Sequence, residues 1–403
     1  MSAMKPLAPP RLEVLAWGAA LVVAAIVLAL KGYEARDADS RLYAEIAAEM
    51  AARPVSGWIA PTVPAGWYVT GLFREHPVGI HLLPAFLARM GYPALQAAFV
   101  ANALYQVLSL VLLQRLAATV AGGLESRALG WVIQLLPIAF TFRVRANHEP
   151  AVLLCLVLAL YGIERTSHHA AWGVAVAAGI VGLLLVKGVL VLTGLAACGL
   201  WLLARRWIDP EARTAPALGA LLAAALAAMA TAWLYERMYR QATGQPFWSV
   251  YLARQLGVAA VDQSAAGVFQ KAYNLVWYLG RVLWFPFPWS LSLGLVLTSA
   301  RARKDIAPGP RSGLVFVVLL TALYLTVFSL SDRRADRYIF PVYYAVGAAG
   351  ALSAIRSWPR LHDFAVRLDH RWVAPLVWVV AFGLHLLGGG LGLPTVKIWA
   401  PDS

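Results

Sequence analysis

The sequence predicts an all-α integral membrane protein of about eleven transmembrane helices, with a large first outward loop carrying interfacial helices. Three observations predict it. Of 403 residues, 61% are hydrophobic and only 13% charged, and the mean hydropathy is +0.67, too apolar for a soluble globule of this length. The apolar residues fall in runs close to the roughly 20 needed to cross a bilayer. The basic residues gather in alternate connectors, as the preference of Lys and Arg for cytoplasmic loops requires.

The first apolar run, 14–30, is long for the core of a signal peptide and is followed by mixed charges with no convincing cleavage site. It reads as a retained first span. The loop 32–93 then interrupts the membrane pattern. Leu42, Tyr43, Ile46, Ala47 and Met50 recur at helical spacing with Glu45 and Glu49 opposite, so about 40–52 suits a helix in the interface plane. Asp39 stands at its start, where a simple N-cap role competes with a chemical one. The run 78–90 is fenced by Pro77 and Gly91 and interrupted by Pro84, and its length fits an interfacial or re-entrant segment better than a span.

Further spans are expected near 94–114, 128–142, 150–164, 170–186, 188–204, 215–234, 274–298, 313–331, 338–355 and 372–390. Residues 1–403 form one polytopic unit in this reading, with a second large outward loop at 235–273 and no separate soluble domain. If 77–91 stays outside, the cytoplasmic connectors carry Lys5 and Arg11, Arg115 and Arg127, Arg165, Arg205 with Arg206 and Arg213, Arg301 to Arg311, and Arg356 to Arg371. Much of the net charge of +14 is then a topology signal rather than a nucleic-acid surface. If 77–91 crossed, every later loop would invert.

The outward set holds most of the polar groups with chemical potential. Arg143, Arg145, His148 and Glu149 cluster where a span ends, which an anchoring charge network would also explain. Lys187 lies in the apolar run GLLLVKGVLVL, where an ammonium needs a partner or must snorkel to water. Arg333, Arg334 and Arg337 place three cations outside, against the loop bias, and suit an anionic partner. The long loop offers Tyr251, Arg254, Gln255, Asp262, Gln263 and Lys271. Cys155 and Cys198 fall in apolar runs and imply no disulfide framework. No P-loop, GxSxG, HExxH or CxxC pattern occurs, so nucleotide hydrolysis, serine hydrolase and familiar zinc chemistry lack support.

Taken in order, these segments resemble the GT-C superfamily of membrane glycosyltransferases, in particular its protein O-mannosyltransferase-like branch, which includes the lipid A aminoarabinose transferases. Asp39 to Met50, DSRLYAEIAAEM, is similar to that branch's first-loop motif; Phe73 to Pro77, FREHP, resembles the motif in which a basic residue precedes proline and a short helix. Arg143 to Pro150 occupies the place of the second acidic turn, Val186-Lys187-Gly188 resembles the Thr-Lys-Gly turn, and Arg337 to Pro341 resembles the basic-Tyr-hydrophobic-Leu-Pro start of a late span. The resemblance implies transfer of a sugar from a polyprenyl-phosphate donor to a hydroxyl acceptor, whether lipid, glycan or protein. It implies a multi-pass protein of the inner (plasma) membrane with its site facing the periplasm or exterior, and lipids as partners.

A glycosidase expelling an alkoxide needs a general acid beside its second carboxylate. A lipid phosphate departs once its charge is stabilised, so one base and several cations suffice. On the resemblance, Asp39 is the base of an inverting transfer, His76, Lys187, Arg333, Arg334 and Arg337 contact the donor phosphate, and Asp37, Tyr43, Glu75, Arg143 and Glu149 orient acceptor or cations. In the lipid A aminoarabinose transferases of that branch a long-loop histidine helps hold a divalent metal ion with the first-loop glutamate. Glu75 is the matching carboxylate, but Arg254 and Gln255 stand near the histidine's place. Some relatives carry a soluble domain after the membrane part, so acceptor recognition is expected from the membrane part or a partner. A lipid-linked sugar flippase is the alternative, needing the cations but no base.

Overall fold

The computed structural model describes residues 11–34, 37–67, 71–122, 125–141, 143–257, 265–299, 306–331, 334–368 and 370–390. Helix α1 (Arg11–Lys31) leads to an outer segment with α2 (Ala38–Ala51), a short antiparallel hairpin of β1 (Thr62–Val63) and β2 (Gly71–Leu72), and α3 (Gly79–Arg89). Next come α4 (Ala94–Ala121), α5 (Glu125–Val132), α6 (Pro137–Thr141), α7 (Glu149–Thr166), α8 (Gly173–Lys187), α9 (Leu190–Ile208) and α10 (Ala215–Thr243). The remainder folds as α11 (Trp248–Gly257), α12 (Ala265–Trp284), α13 (Trp289–Thr298), α14 (Pro308–Ser329), α15 (Phe340–Ser357), α16 (Pro359–Arg367) and α17 (Val373–Gly390).

Among the described residues seven helices are long and apolar enough to cross a membrane, namely α1, α4, α8, α9, α10, α14 and the helix containing α15. The other four expected spans differ for identifiable reasons. The stretch 128–142 breaks at a 3-10 turn, Ile133–Leu135, just before Pro137. Helix α7 carries Glu149, Glu164 and Arg165. The expected span 274–298 is two helices, α12 and α13, divided at Pro286 and Pro288. The apolar part of α17, Val373–Leu386, is short. Helix α3 has 11 residues, about 16 Å at 1.5 Å per residue, half the roughly 30 Å hydrocarbon thickness.

Helices α4 and α7 form the centre, α4 packing on α1, α2, α3, α5 and α7, and α7 on α8. The α7–α8 approach is close because Gly179 faces Cys155, where an added Cβ would lie 2.5 Å from the Cys155 carbonyl oxygen. The outer segment builds its own core from Leu42, Tyr43, Ile46, Met50, Trp58, Val63, Phe73 and Ala85. The apolar face of α2 is therefore covered by protein, packing on α3 and α4. Its polar face is tied to the hairpin region: Glu45 accepts from the Trp67 indole at 2.6 Å, and Glu49 accepts from the Thr62 hydroxyl at 2.5 Å and pairs with Arg53.

The cap of α2 is Asp37, in extended backbone, whose Oδ1 accepts from the Ser40 amide at 2.9 Å. The N-cap role considered for Asp39 is thus corrected: Asp39 is the second helical residue, and its carboxylate is available elsewhere.

Candidate active site

Five stretches distant in sequence meet beside the start of α2. Glu149, the first residue of α7, is 2% exposed, at a helix N-terminus whose amides favour negative charge. Its Oε1 lies 3.2 Å from Lys187 Nζ and 3.9 Å from Arg337 Nε. Arg337 Nη1 lies 2.6 Å from Asp39 Oδ2. Arg337 therefore bridges the two carboxylates, and the group of two anions and two cations is balanced. This arrangement answers the cost of burying charge, since removing one member would leave its partner uncompensated.

Lys187 is delivered by the end of α8. Gly188 takes φ +46°, and the Tyr251 hydroxyl donates to the Lys187 carbonyl at 3.1 Å while accepting from the Val189 amide at 3.0 Å. A Cβ at Gly188 would lie 2.4 Å from that hydroxyl oxygen. The long loop thus reaches the site through Tyr251, whose importance no local motif signalled. The Lys187 ammonium also lies 5.6 Å from the Tyr338 ring centroid.

Beside the charges lies a cluster of rings. His148, buried immediately before Glu149, stands edge-to-face with His76 at 4.4 Å and with Tyr43 at 4.6 Å; His81 lies 5.5 Å from Tyr43. Burial, followed by Lys187, His81 and Arg337, holds His76 well below the usual histidine range, so it is neutral near pH 7 in this state. Burial pushes His81 down to about 3. Burial, followed by Asp39, holds the Tyr43 phenol well above its usual range. His76 therefore enters as a neutral ring, its buried Nδ1 without a hydrogen-bond partner, rather than as the cation that its place before Pro77 suggested. His148, grouped with Glu149 at the span end by the sequence, belongs to the cluster, and so does His81, which no spacing singled out.

The other expected residues fall in different places. Asp37 caps α2 and faces Arg145 Nε at 3.8 Å, while the Ala146 amide donates to Ser40 Oγ at 3.0 Å, joining the turn before α7 to α2. Glu75 acts electrostatically on Tyr43. Arg143 lies apart from the cluster: it is buried, its Nη2 donates to the Gln134 carbonyl at 2.9 Å, and its own carbonyl accepts from Gln106 at 3.2 Å. Arg334 stacks over Tyr273, 4.5 Å from the centroid, while Arg281 holds Asp336 at 2.9 Å. Arg333, Asp262 and Gln263 lie outside the described residues.

The metal site implied at Glu75 does not fit the residues present. Gln255 reaches this stretch with an amide that donates to the Glu75 carbonyl at 3.2 Å, where the resemblance would require an imidazole. Among the described residues no group of three or more His, Cys, Asp or Glu side chains is arranged to hold a metal ion.

A cavity of about 910 Å³ lies among α4, α7, α14 and α15. Leu153, one turn beyond Glu149, and Pro341, one turn beyond Arg337, line its outer end; Gly122, Arg356 and Ser357 line the other. Its walls are predominantly apolar, including Leu156, Leu160, Trp201, Phe316 and Leu320.

The helical bundle and its outer segment agree in fold with solved structures. The chain aligns over 95% of its length with 77% of the crystal structure of ArnT from Cupriavidus metallidurans in the apo state, at 17% identity and a TM-score of 0.66. For ArnT from Cupriavidus metallidurans bound to undecaprenyl phosphate the values are 97%, 75%, 19% and 0.62. ArnT is a lipid A aminoarabinose transferase of the GT-C superfamily. An apo oligosaccharyltransferase from Archaeoglobus fulgidus aligns more loosely, over 92% of this chain and 56% of its own, at 12% identity and a TM-score of 0.48. No protein-family model and no curated protein matches the sequence.

Proposed function

We propose that this protein transfers a sugar from a polyprenyl-phosphate-linked donor to a hydroxyl acceptor at the outer face of the cell membrane. The observation that carries the reading is the half-buried Asp39, Arg337, Glu149 and Lys187 cluster, with an apolar cavity whose lining begins at Leu153 and Pro341, one turn from Glu149 and Arg337. An amphiphile with an anionic head and an isoprenoid tail matches both parts. The ArnT structure bound to undecaprenyl phosphate supports this donor class.

In this mechanism the donor phosphate docks between Lys187 and Arg337, with His76 donating a hydrogen bond. Arg337 then has a third anion to serve beside Asp39 and Glu149, and its hold on Asp39 loosens. The acceptor oxygen attacks the anomeric carbon from the face opposite the phosphate, forming the new glycosidic bond with inversion. The carbon–oxygen bond to phosphate breaks and its electron pair goes to the phosphate oxygen, giving a lipid phosphate dianion. Asp39 takes the acceptor proton. Lys187 and Arg337 stabilise the charge growing on the phosphate, while Glu149 keeps both cations aligned. Arg334, on its aromatic support, is available to a group arriving from outside.

The same reading gives the chain eleven crossings, with 77–91 and 235–273 on the outer side together with the cluster. Incubating purified protein with a panel of polyprenyl-phosphate sugars and candidate acceptors should release polyprenyl phosphate for one donor class. Binding and translocation of a donor with no release under any condition would instead support the flippase.

A further inference from the structure

The proton balance of the site leads to His148. Docking a phosphodiester adds one negative charge to a cluster whose two carboxylates already have cation partners. The neutral groups beside it are rings, and His148 is the one that is 1% exposed and adjacent in sequence to the carboxylate holding both cations. Its Nε2 is buried with no hydrogen-bond partner, a costly condition for a polar atom unless another state satisfies it. His76 and Tyr43 pack against the ring at 4.4 and 4.6 Å, and His81 lies 6.5 Å away.

We infer that His148 takes up a proton when an anionic lipid phosphate docks at Lys187 and Arg337, making it a proton-holding residue of the phosphate site. The inference rests on the donor class proposed above. In the ligand-free site, burial and then His76, Lys187, His81 and Arg337 hold the imidazole well below the usual histidine range. An anion beside Lys187 and Arg337 offsets two of those positive influences and favours the imidazolium. Anion and proton binding then reinforce one another, because coupling between two sites is reciprocal. Tyr43 and the Glu149 carboxylate are the other titratable groups facing the ring's surroundings; the phenol stays protonated and the carboxylate remains paired.

The test is calorimetry on the full-length protein with the methyl diester of undecaprenyl phosphate, a probe with a single fixed charge across about pH 5 to 8, where histidine is the side chain that normally titrates. Two buffers of different ionisation heat report proton uptake. Wild type should take up as much as one proton, and affinity should rise up to about tenfold per unit as pH falls between the bound and free transitions. His148→Gln, which retains a polar side chain but cannot titrate, should bind with the buffer dependence lost.

Binding without proton uptake in wild type, or uptake unchanged in His148→Gln, overturns the inference and leaves the transferase reading intact. No binding of the probe by wild type overturns both. If His148→Gln does not fold, His76→Gln and His81→Gln are measured instead: uptake retained in both supports His148, and uptake lost in either overturns the inference.

Discussion

Neighbouring aspartates with different tasks give the sharpest test of the site. Asp39→Asn removes a carboxylate whose Oδ2 lies 2.6 Å from Arg337, with both side chains about a quarter exposed. A hydrogen bond to a charged group contributes about 1.5 to 3 kcal/mol. Asn keeps an acceptor for the guanidinium, so the stability loss should be about 1 kcal/mol or less. The catalytic loss should be much larger, about a hundredfold to ten-thousandfold for a missing general base, equivalent to about 3 to 5 kcal/mol of barrier.

Asp37→Ala reverses this pattern. It removes the 2.9 Å bond to the Ser40 amide, costing about 1 kcal/mol as a lost helix cap, with turnover per folded molecule close to wild type. The assay follows polyprenyl phosphate release at saturating donor, normalised to folded protein, alongside thermal unfolding in detergent. Near-normal turnover in Asp39→Asn combined with collapse in Asp37→Ala would refute the assignment of base to Asp39 and cap to Asp37.

Lys187→Ala should lower turnover about a hundredfold to a thousandfold, as loss of one electrostatic contact to a developing anion commonly does; donor consumption at the wild-type rate would make this ammonium an anchor only. Arg337→Lys should retain part of the activity and Arg337→Ala almost none, because lysine keeps charge but not the planar fork that bridges Asp39 and Glu149. Tyr251→Phe removes both hydroxyl contacts to the Lys187–Val189 turn and should weaken donor binding more than it changes thermal stability, measured by titration with undecaprenyl phosphate. For topology, cysteines at Ser56 and Ser331, in a background without Cys155 and Cys198, should react with an impermeant thiol reagent on intact cells, whereas one at Arg311 should not. The opposite labelling would make 77–91 a true span and divide the cluster between two faces.

The sequence by itself determined the membrane class, because long apolar runs and the side preference of Lys and Arg are properties of local composition. It also exposed the ions that meet in the candidate site. Asp39, Glu149, Lys187 and Arg337 were legible because charge is scarce in this chain and each sits beside an apolar run, where it needs a reason. Only the tertiary structure decided which of them meet, since Asp39 and Arg337 are separated by about three quarters of the chain and their contact depends on how the helices pack. It moved the helix cap to Asp37, set Arg143 against Gln134 away from the cluster, and stacked Arg334 on Tyr273. It also brought His81 and Tyr251 to the site and set the His148 ring against His76 and Tyr43. A histidine's surroundings and a tyrosine hydroxyl's partners lie on other helices, and residue spacing along one helix carries no record of them.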